Sequence, residues 1–393
     1  MKFNSNKIIF KKFLSFFLQI TMMLPLFSYS QNIPNRPTDT INVNEGKRTS
    51  NDIWLHPKTS EIVGLKMGPF INISDKKIMT VDTTNCYVSN NNGSTWKSFP
   101  IFKNPEKFMI RIERALIKTK KGTIILAFAN DVEKSPFVWK DDIHDVKNSI
   151  LPTYTVRSED NGKTWSEPIK LHDDWTGAIR DIIETKDGHV VFTTMMMRHN
   201  PGHHTVLTYT SADEGKSWKQ SNVIDLGGIG HHSGVTESTL EEVKDGKLLM
   251  YMRTNWGSLW ETISTDNGLT WTNFKSTSIK ASSAPALLTR LQSGRLMMLW
   301  NHNLPQGKNT FPLSGGDNNW SEVPVSNHRQ ELSIMFSEDE GMNWSIPTVI
   351  AKTTKPKSQV SYPYALEKNP GEIWITTMFG ELRMSLRESD FIK

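Results

Sequence analysis

Cysteine occurs once in the 393 residues, at Cys86, so no intrachain disulfide can form. Excess charge is also scarce. The net charge is +5, and Lys2, Lys7, Lys11 and Lys12 lie in the first 30 residues with no acid among them. Removing those four charges leaves a net charge near +1, which gives a polyanion nothing to bind, so nucleic acid is excluded as a partner. Long apolar runs are confined to Phe13–Phe27, which is interrupted by Gln19, Thr21 and Pro25 and is short for a membrane span. With the basic start before it and Ser28 and Ser30 after it, residues 1–30 read as a secretory signal peptide cleaved near Ser30. A membrane anchor is the competing reading. No cysteine follows the run to carry a lipid. Metal-ligand spacing is missing too: His199, His203 and His204 do not form a set, and His231 and His232 would face opposite ways in a strand. No metal or cofactor is expected.

Tryptophan is abundant, with 13 residues, all beyond position 30. Five of them end the same octet, Ser-x-Asp-x-Gly-x-Thr-Trp. The copies are Ser89 to Trp96, Ser158 to Trp165, Ser211 to Trp218, Ser264 to Trp271 and Ser337 to Trp344, with Asn91, Ser217 and Asn343 as the only departures. Asp can accept bonds from backbone N–H groups of its own turn, and Gly supplies a left-handed position. The Trp then leaves the turn as a large apolar anchor.

A second repeat alternates with the octets. Lys186-Asp187-Gly188, Lys244-Asp245-Gly246, Ser293-Gly294 and Pro370-Gly371 each precede an apolar or β-branched run. Lys121-Gly122 belongs with them, and Asp75-Lys76-Lys77 is a degenerate first member. Each is a hairpin leading into a buried strand. Six such units, five of them closed by an octet, predict an all-β chain folded as a six-bladed β-propeller over residues 51–393. Residues 31–50 are a linker or closing segment, and the tail with Arg383, Arg387 and Asp390 closes or caps the ring.

Some polar residues sit where an apolar strand would not tolerate them unpartnered. Glu237 precedes Leu240, and Arg253 lies in Leu248–Thr254 beside Met250 and Met252. The stretch Asn130–Leu151 is acidic and irregular, and reads as a loop on one face of the ring. The methionine run Met195–Met197 reads as core filling.

The octets and their order resemble the sialidase superfamily, whose six-bladed propellers carry Asp-boxes of this form. The likeness covers nearly all of the chain beyond the leader. Such boxes mark the fold and lie away from the central site, so function must be carried over residue by residue. A sialidase grips the sugar carboxylate with three arginines, a bidentate problem that guanidinium suits. Arg253 matches the second of these and Arg329 the third. The first is a departure, because this chain reads Ile112-Glu113-Arg114-Ala115 where the family has Phe-Arg-Ile-Pro. Arg114 is the substitute favoured by strand alternation, with Arg111 behind it.

The resemblance further implies Tyr362 as nucleophile, with Tyr364 as its rival, and Glu237 as the acid that activates it. Tyrosine is the known exception to two-carboxylate glycoside hydrolysis. The general acid is implied to lie in Asn130–Leu151, with Asp142 first and Asp131, Asp141 and Asp145 open. The His231-His232 pair marks a divergent branch, in which His232 would contact substrate or move a proton. The implied protein is a secreted or periplasmic, monomeric exo-glycosidase acting on a glycan with a terminal acidic sugar, sialic acid first. It has no membrane span once the leader is removed. A propeller lyase or other uronate-active enzyme using His and Tyr, and a glycan-binding propeller without catalysis, are the alternatives.

Overall fold

The structure is a computed structural model that describes residues 46–355 and 357–392. The leader at 1–30 and most of the 31–50 segment lie outside the described residues. Strands dominate, and no helix among the described residues is long and apolar enough to cross a membrane. Besides two small hairpins, Trp139–Lys140 with Asp145–Val146 and Leu313–Gly315 with Pro324–Ser326, the described strands form six antiparallel sheets whose inner strands begin at Ile71, Ala115, Ile182, Val235, Leu287 and Ser361. These are the six blades of a β-propeller, numbered here in chain order.

Each second strand is buried along nearly its whole length, as in Ile124–Ala129, Leu248–Thr254 and Leu296–Trp300. Both faces of a blade are covered by its neighbours, so these strands read as continuous apolar runs rather than alternating ones. Six of the apolar clusters lie one at each blade-to-blade interface. Ile125 and Ala127 of blade 2 meet Phe192 and Leu207 of blade 3, and Leu366 and Trp374 of blade 6 meet Phe70 and Ile78 of blade 1. Met195 and Met197 are 4% exposed; Met195 packs at the interface of blades 3 and 4, and Met197 in a separate apolar cluster with Val146, Leu151 and Trp175.

The five octets join the third and fourth strands of blades 1 to 5. In the fourth, Ser264 Oγ donates to Asp266 Oδ1 at 2.7 Å, and Asp266 Oδ1 accepts from the Thr270 N–H at 2.8 Å. Gly268 N–H donates back to Ser264 Oγ at 2.9 Å. Burial works against the Asp266 charge, but the bonds from Ser264 and Thr270 prevail and hold the carboxyl below its ordinary range. Gly268 has φ +78°, and a Cβ there would stand 2.8 Å from Val191 of blade 3. The box is therefore a clip between blades as well as a turn. Trp271, 1% exposed, completes it by donating its indole N–H to Thr208 Oγ1 of blade 3 at 2.8 Å.

Blade 6 has no octet, and its outer strand comes from the other end of the chain. Thr59, Ser60 and Glu61 pair with Leu386, Ser385 and Met384. Just before this, Trp54–Leu55 adds to the outer edge of blade 5 and Lys47–Arg48 pairs outside it. The closing strand is thus Thr59–Glu61, a little beyond residue 50, and Arg383–Arg387 is the third strand of blade 6.

Trp271→Ala is expected to destabilise the fold by about 3–5 kcal/mol through the cavity it leaves. Trp96→Ala, at a half-buried octet tryptophan, is expected to cost clearly less. Thermal or denaturant unfolding of the two variants checks the order.

Candidate active site

Antiparallel blades place the start of strand one, the end of strand two and the start of strand three at the same end of the ring. Glu237 lies near the start of an inner strand, Tyr362 at the second residue of another, and Arg253 near the end of a second strand. Arg111 and Glu113 precede the inner strand of blade 2, Arg180 that of blade 3, and Arg329 the third strand of blade 5. All therefore collect at one end, and the octets lie at the other. The long connections 130–152 and 301–330 also rise at the site end.

A cavity of about 480 Å³ opens there, with Arg111, Glu113, Glu237, Arg253 and Tyr362 on its walls. His204, His231 and His232 line a further side, and Lys134, Phe137 and Trp175 face it from blades 2 and 3. The Phe137 and Trp175 rings lie 4.6 Å apart.

Two local devices aim the central residues. Thr236 pairs with Arg253 and Ser238 with Met252, so Glu237 is the extra residue of a β-bulge. Tyr362 has φ +62°, a left-handed conformation that is costly for a large side chain and is held by the surrounding strands. Backbone strain of this kind concentrates at functional sites.

Arg253 is the hub. Its Nη1 bonds to Glu237 Oε2 and donates to Tyr362 Oη at 3.2 Å. Its Nε and Nη2 donate to Ser283 Oγ at 3.3 and 2.8 Å, and Ser283 donates to Asn255 Oδ1 at 2.7 Å. Burial alone would push the Glu237 carboxyl up, but Arg253, with Arg180 and Arg329 behind it, holds it below its usual range. Tyr362 goes the other way. Burial and the Glu237 charge raise its phenol, so it is protonated at neutral pH.

Arg329 stands beside this pair, its Cζ 5.7 Å from the centre of the Tyr362 ring. Its Nη2 bonds to the Ser283 carbonyl and donates to Asn327 Oδ1 at 3.4 Å, while its buried Nε has no partner. Arg180 was not singled out by the sequence. It is 2% exposed, with Cζ 5.3 Å from the Tyr362 ring and 4.9 Å from the Tyr364 ring, and it donates to the Pro363 carbonyl at 2.9 Å.

The other sequence candidates separate. Tyr364 donates to the Arg114 carbonyl at 2.9 Å and so ties the inner strand of blade 6 to the start of blade 2 at the centre of the ring. Arg114, 3% exposed, points at the carbonyls of Val81 and Gly68 and is not on the cavity wall. Arg111 is on the wall, with Glu113 at 3.0 Å and Asp131 at 3.1 Å. Asp142 is exposed in the turn between Trp139–Lys140 and Asp145–Val146, away from the cavity wall, as is Asp141. Asp145 is buried and bonded to His199 Nδ1 at 2.9 Å and the Asn200 N–H at 3.0 Å.

His232 reaches the cavity because its backbone N–H donates to the Trp320 carbonyl and its carbonyl accepts from Asn255 Nδ2. Burial, with Arg253 and the neighbouring His231 and His204, pulls its pKa down to about 2, so the ring is neutral. Gly234 has to be glycine here, since at φ +88° a Cβ would stand 2.2 Å from the His204 carbonyl oxygen. Around Tyr362 the guanidiniums of Arg180, Arg253 and Arg329 gather, with the Glu237 carboxylate joined to Arg253. Among the described residues no group of three or more potential ligands could hold a metal ion.

Residues 115–375 match the BNR repeat-like domain family. A sialidase from Bacteroides fragilis (strain YCH46) is 27% identical over 237 residues, which are 58% of this chain and 40% of the relative. The chain thus spans less than half the length of that protein. In fold, the chain is similar to a protein of unknown function from Dyadobacter fermentans DSM 18053, with TM-score 0.55 and 15% identity, covering 84% of this chain and 98% of that one. It is also similar to the NanB sialidase of Streptococcus pneumoniae, in a K499G mutant, with TM-score 0.54 and 12% identity, covering 83% and 69% of the two chains.

Glu237→Ala would leave Arg253 buried without its counter-charge and is expected to cost about 3–5 kcal/mol. Because the Glu237 carboxyl is depressed in the folded state, its contribution is present above the unfolded-state carboxylate range and lost as pH falls through the folded value. Denaturant unfolding at neutral and acidic pH should therefore show the native-to-variant gap narrowing toward acid.

Proposed function

The chain belongs to the BNR repeat-like domain family, sialidase-like in its propeller, and on that footing we propose that it is a retaining exo-glycosidase that removes a terminal acidic sugar, sialic acid first. The observation that carries this reading is the meeting of Tyr362, Glu237 and Arg253 on one cavity wall, with Arg329 beside them. Arg329, whose buried Nε has no partner, and Arg111, on the cavity wall, are the arginines that would meet a substrate carboxylate beside Arg253. Arg111 takes the place that the sequence pattern gave to Arg114.

Arg253 does two things in this reading. It contributes to the anion site, and it holds Glu237 and Tyr362 at one nitrogen. In the empty site Glu237 is kept ionised by Arg253, which makes it a weak base. A substrate carboxylate arriving at the same guanidinium cluster shares that positive charge, and the basicity of Glu237 rises as a result. The phenol then gives its proton to Glu237 as its oxygen bonds to the anomeric carbon. Keeping Tyr362 protonated until that moment avoids bringing an anionic nucleophile to a centre that carries its own carboxylate. His232, neutral and facing the cavity, is placed to accept or donate a hydrogen bond to a sugar hydroxyl.

A second reading is favoured by the same neutral imidazoles. His204, His231 and His232 facing one cavity with a tyrosine suit a lyase acting on a uronate. A glycan-binding propeller without turnover shares the anion site but needs neither chemistry.

The test is hydrolysis of a fluorogenic α-sialoside. Tyr362→Phe and Glu237→Gln are each expected to lower kcat on the order of 10²–10⁴-fold, and Arg329→Ala to act mainly through KM. No hydrolysis, together with ultraviolet absorbance from an unsaturated uronate that disappears in a His232→Ala variant, would establish the lyase instead. Binding of acidic glycans with no product of either kind would establish the binding protein.

A further inference from the structure

The aspartates that the sequence offers as proton donors are absent from the cavity wall, where, among the described residues, the only carboxyl groups are Glu113 and Glu237. Glu237 is already joined to Arg253. Glu113 is differently placed. It is 8% exposed, and its Oε2 has no hydrogen-bond donor. The nearest cation does not supply one: Arg111 Nε stands 3.0 Å away but directs its N–H to the Gly177 carbonyl, also at 3.0 Å. A buried carboxyl oxygen that faces a cavity and accepts no bond costs stability unless something enters to meet it.

The chain's departure from Phe-Arg-Ile-Pro falls at this residue. With Arg111 taken as the arginine of that pattern, the chain reads Ile110-Arg111-Ile112-Glu113, so a carboxylic acid stands at the mouth of blade 2 where the pattern has a proline, which has no proton to give. Burial and the nearby Glu237 charge favour its protonated form against the pull of Arg111. His232 is unsuited to the same task, because its surroundings keep it neutral.

We propose that Glu113 is the acid/base residue of this site, and the proposal rests on the glycosidase reading above. In the first half-reaction Tyr362 Oη bonds to the anomeric carbon and its proton goes to Glu237. The bond from that carbon to the leaving oxygen breaks with its electron pair, and Glu113 protonates that oxygen. In the second, water bonds to the anomeric carbon, Glu113 takes the water proton, and the tyrosyl oxygen leaves and recovers its proton from Glu237. Both residues end as they began.

The experiment compares two sialosides, one with a sugar leaving group and one with an activated aryl leaving group, in the native protein and in Glu113→Gln. A poor leaving group needs the proton and a good one does not. The expected result is a loss in kcat/KM on the order of 10²–10⁴-fold for the sugar leaving group, a small change for the aryl one, and loss of the alkaline limb of the pH profile. Azide is expected to restore turnover by taking the place of activated water, and Glu113→Asp to recover part of the sugar-leaving-group rate.

An equal loss on both substrates, or an unmoved alkaline limb, would overturn the proposal. So would the leaving-group-selective loss appearing in Asp142→Asn, a measurement that does not depend on Glu113→Gln folding. Inactivity of the native protein on every acidic glycoside would remove the glycosidase reading itself. Activity in the native protein with a uniform loss in Glu113→Gln would remove only the role of Glu113.

Discussion

A blade of this chain has two apolar faces and cannot expose either. Everything else follows from that constraint, because six such sheets can cover one another only as a closed ring. The chain meets it in two ways. Apolar second strands fill the six interfaces, and the octet turns reach back to the preceding blade, so that Gly268 and Trp271 lie against Val191 and Thr208. With no disulfide available, the last gap is closed by backbone pairing of Thr59–Glu61 with Arg383–Arg387. That pairing joins residues more than three hundred positions apart, so the ring is secured across nearly the whole described chain.

The site is a consequence of the same geometry. Ring closure brings the ends of inner strands from different blades to one mouth, and side chains distant in sequence become neighbours there. Arg253 and Glu237 from blade 4 meet Tyr362 from blade 6, with Ser283 and Arg329 from the blade 5 side. Burying a guanidinium beside a carboxylate in such a place is weak as a stabilising device. Its value is in aim. The bulge at Glu237 and the left-handed backbone at Tyr362 both work against regular strand geometry, and both direct side chains to the same nitrogen. Protonation follows position: the one carboxyl joined to Arg253 is held ionised, and the phenol beside it is held neutral.

Much of this could be read from sequence because the signals are local. The octets specify their own turns, and a charged residue inside an apolar strand, as at Glu237 and Arg253, announces that it has a partner. The misreadings come from non-local or irregular backbone. Strand alternation favoured Arg114 over Arg111, but the strand begins only at Ala115, so alternation does not apply to either residue. Arg114 turns to carbonyls of blade 1 and Arg111 to the cavity. The short closing strand Thr59–Glu61 has no periodicity to betray it. Asp142 was chosen from an acidic stretch that folds into a small hairpin and leaves it exposed. Arg180 was missed: it lies just before an inner strand, after Ala178 and Ile179 but beside Asp181, so its charge does not stand alone in the sequence as that of Arg253 does.

The central claim is that Tyr362 becomes covalently bonded to the sugar. It is tested most directly by incubating the protein with a fluorinated sialosyl fluoride, which forms the glycosyl–enzyme species and slows its breakdown, and then measuring intact and peptide masses. The account predicts one added fluorosialosyl unit, located on the peptide containing Tyr362. Turnover of the probe without any adduct, or an adduct on another residue, would contradict it.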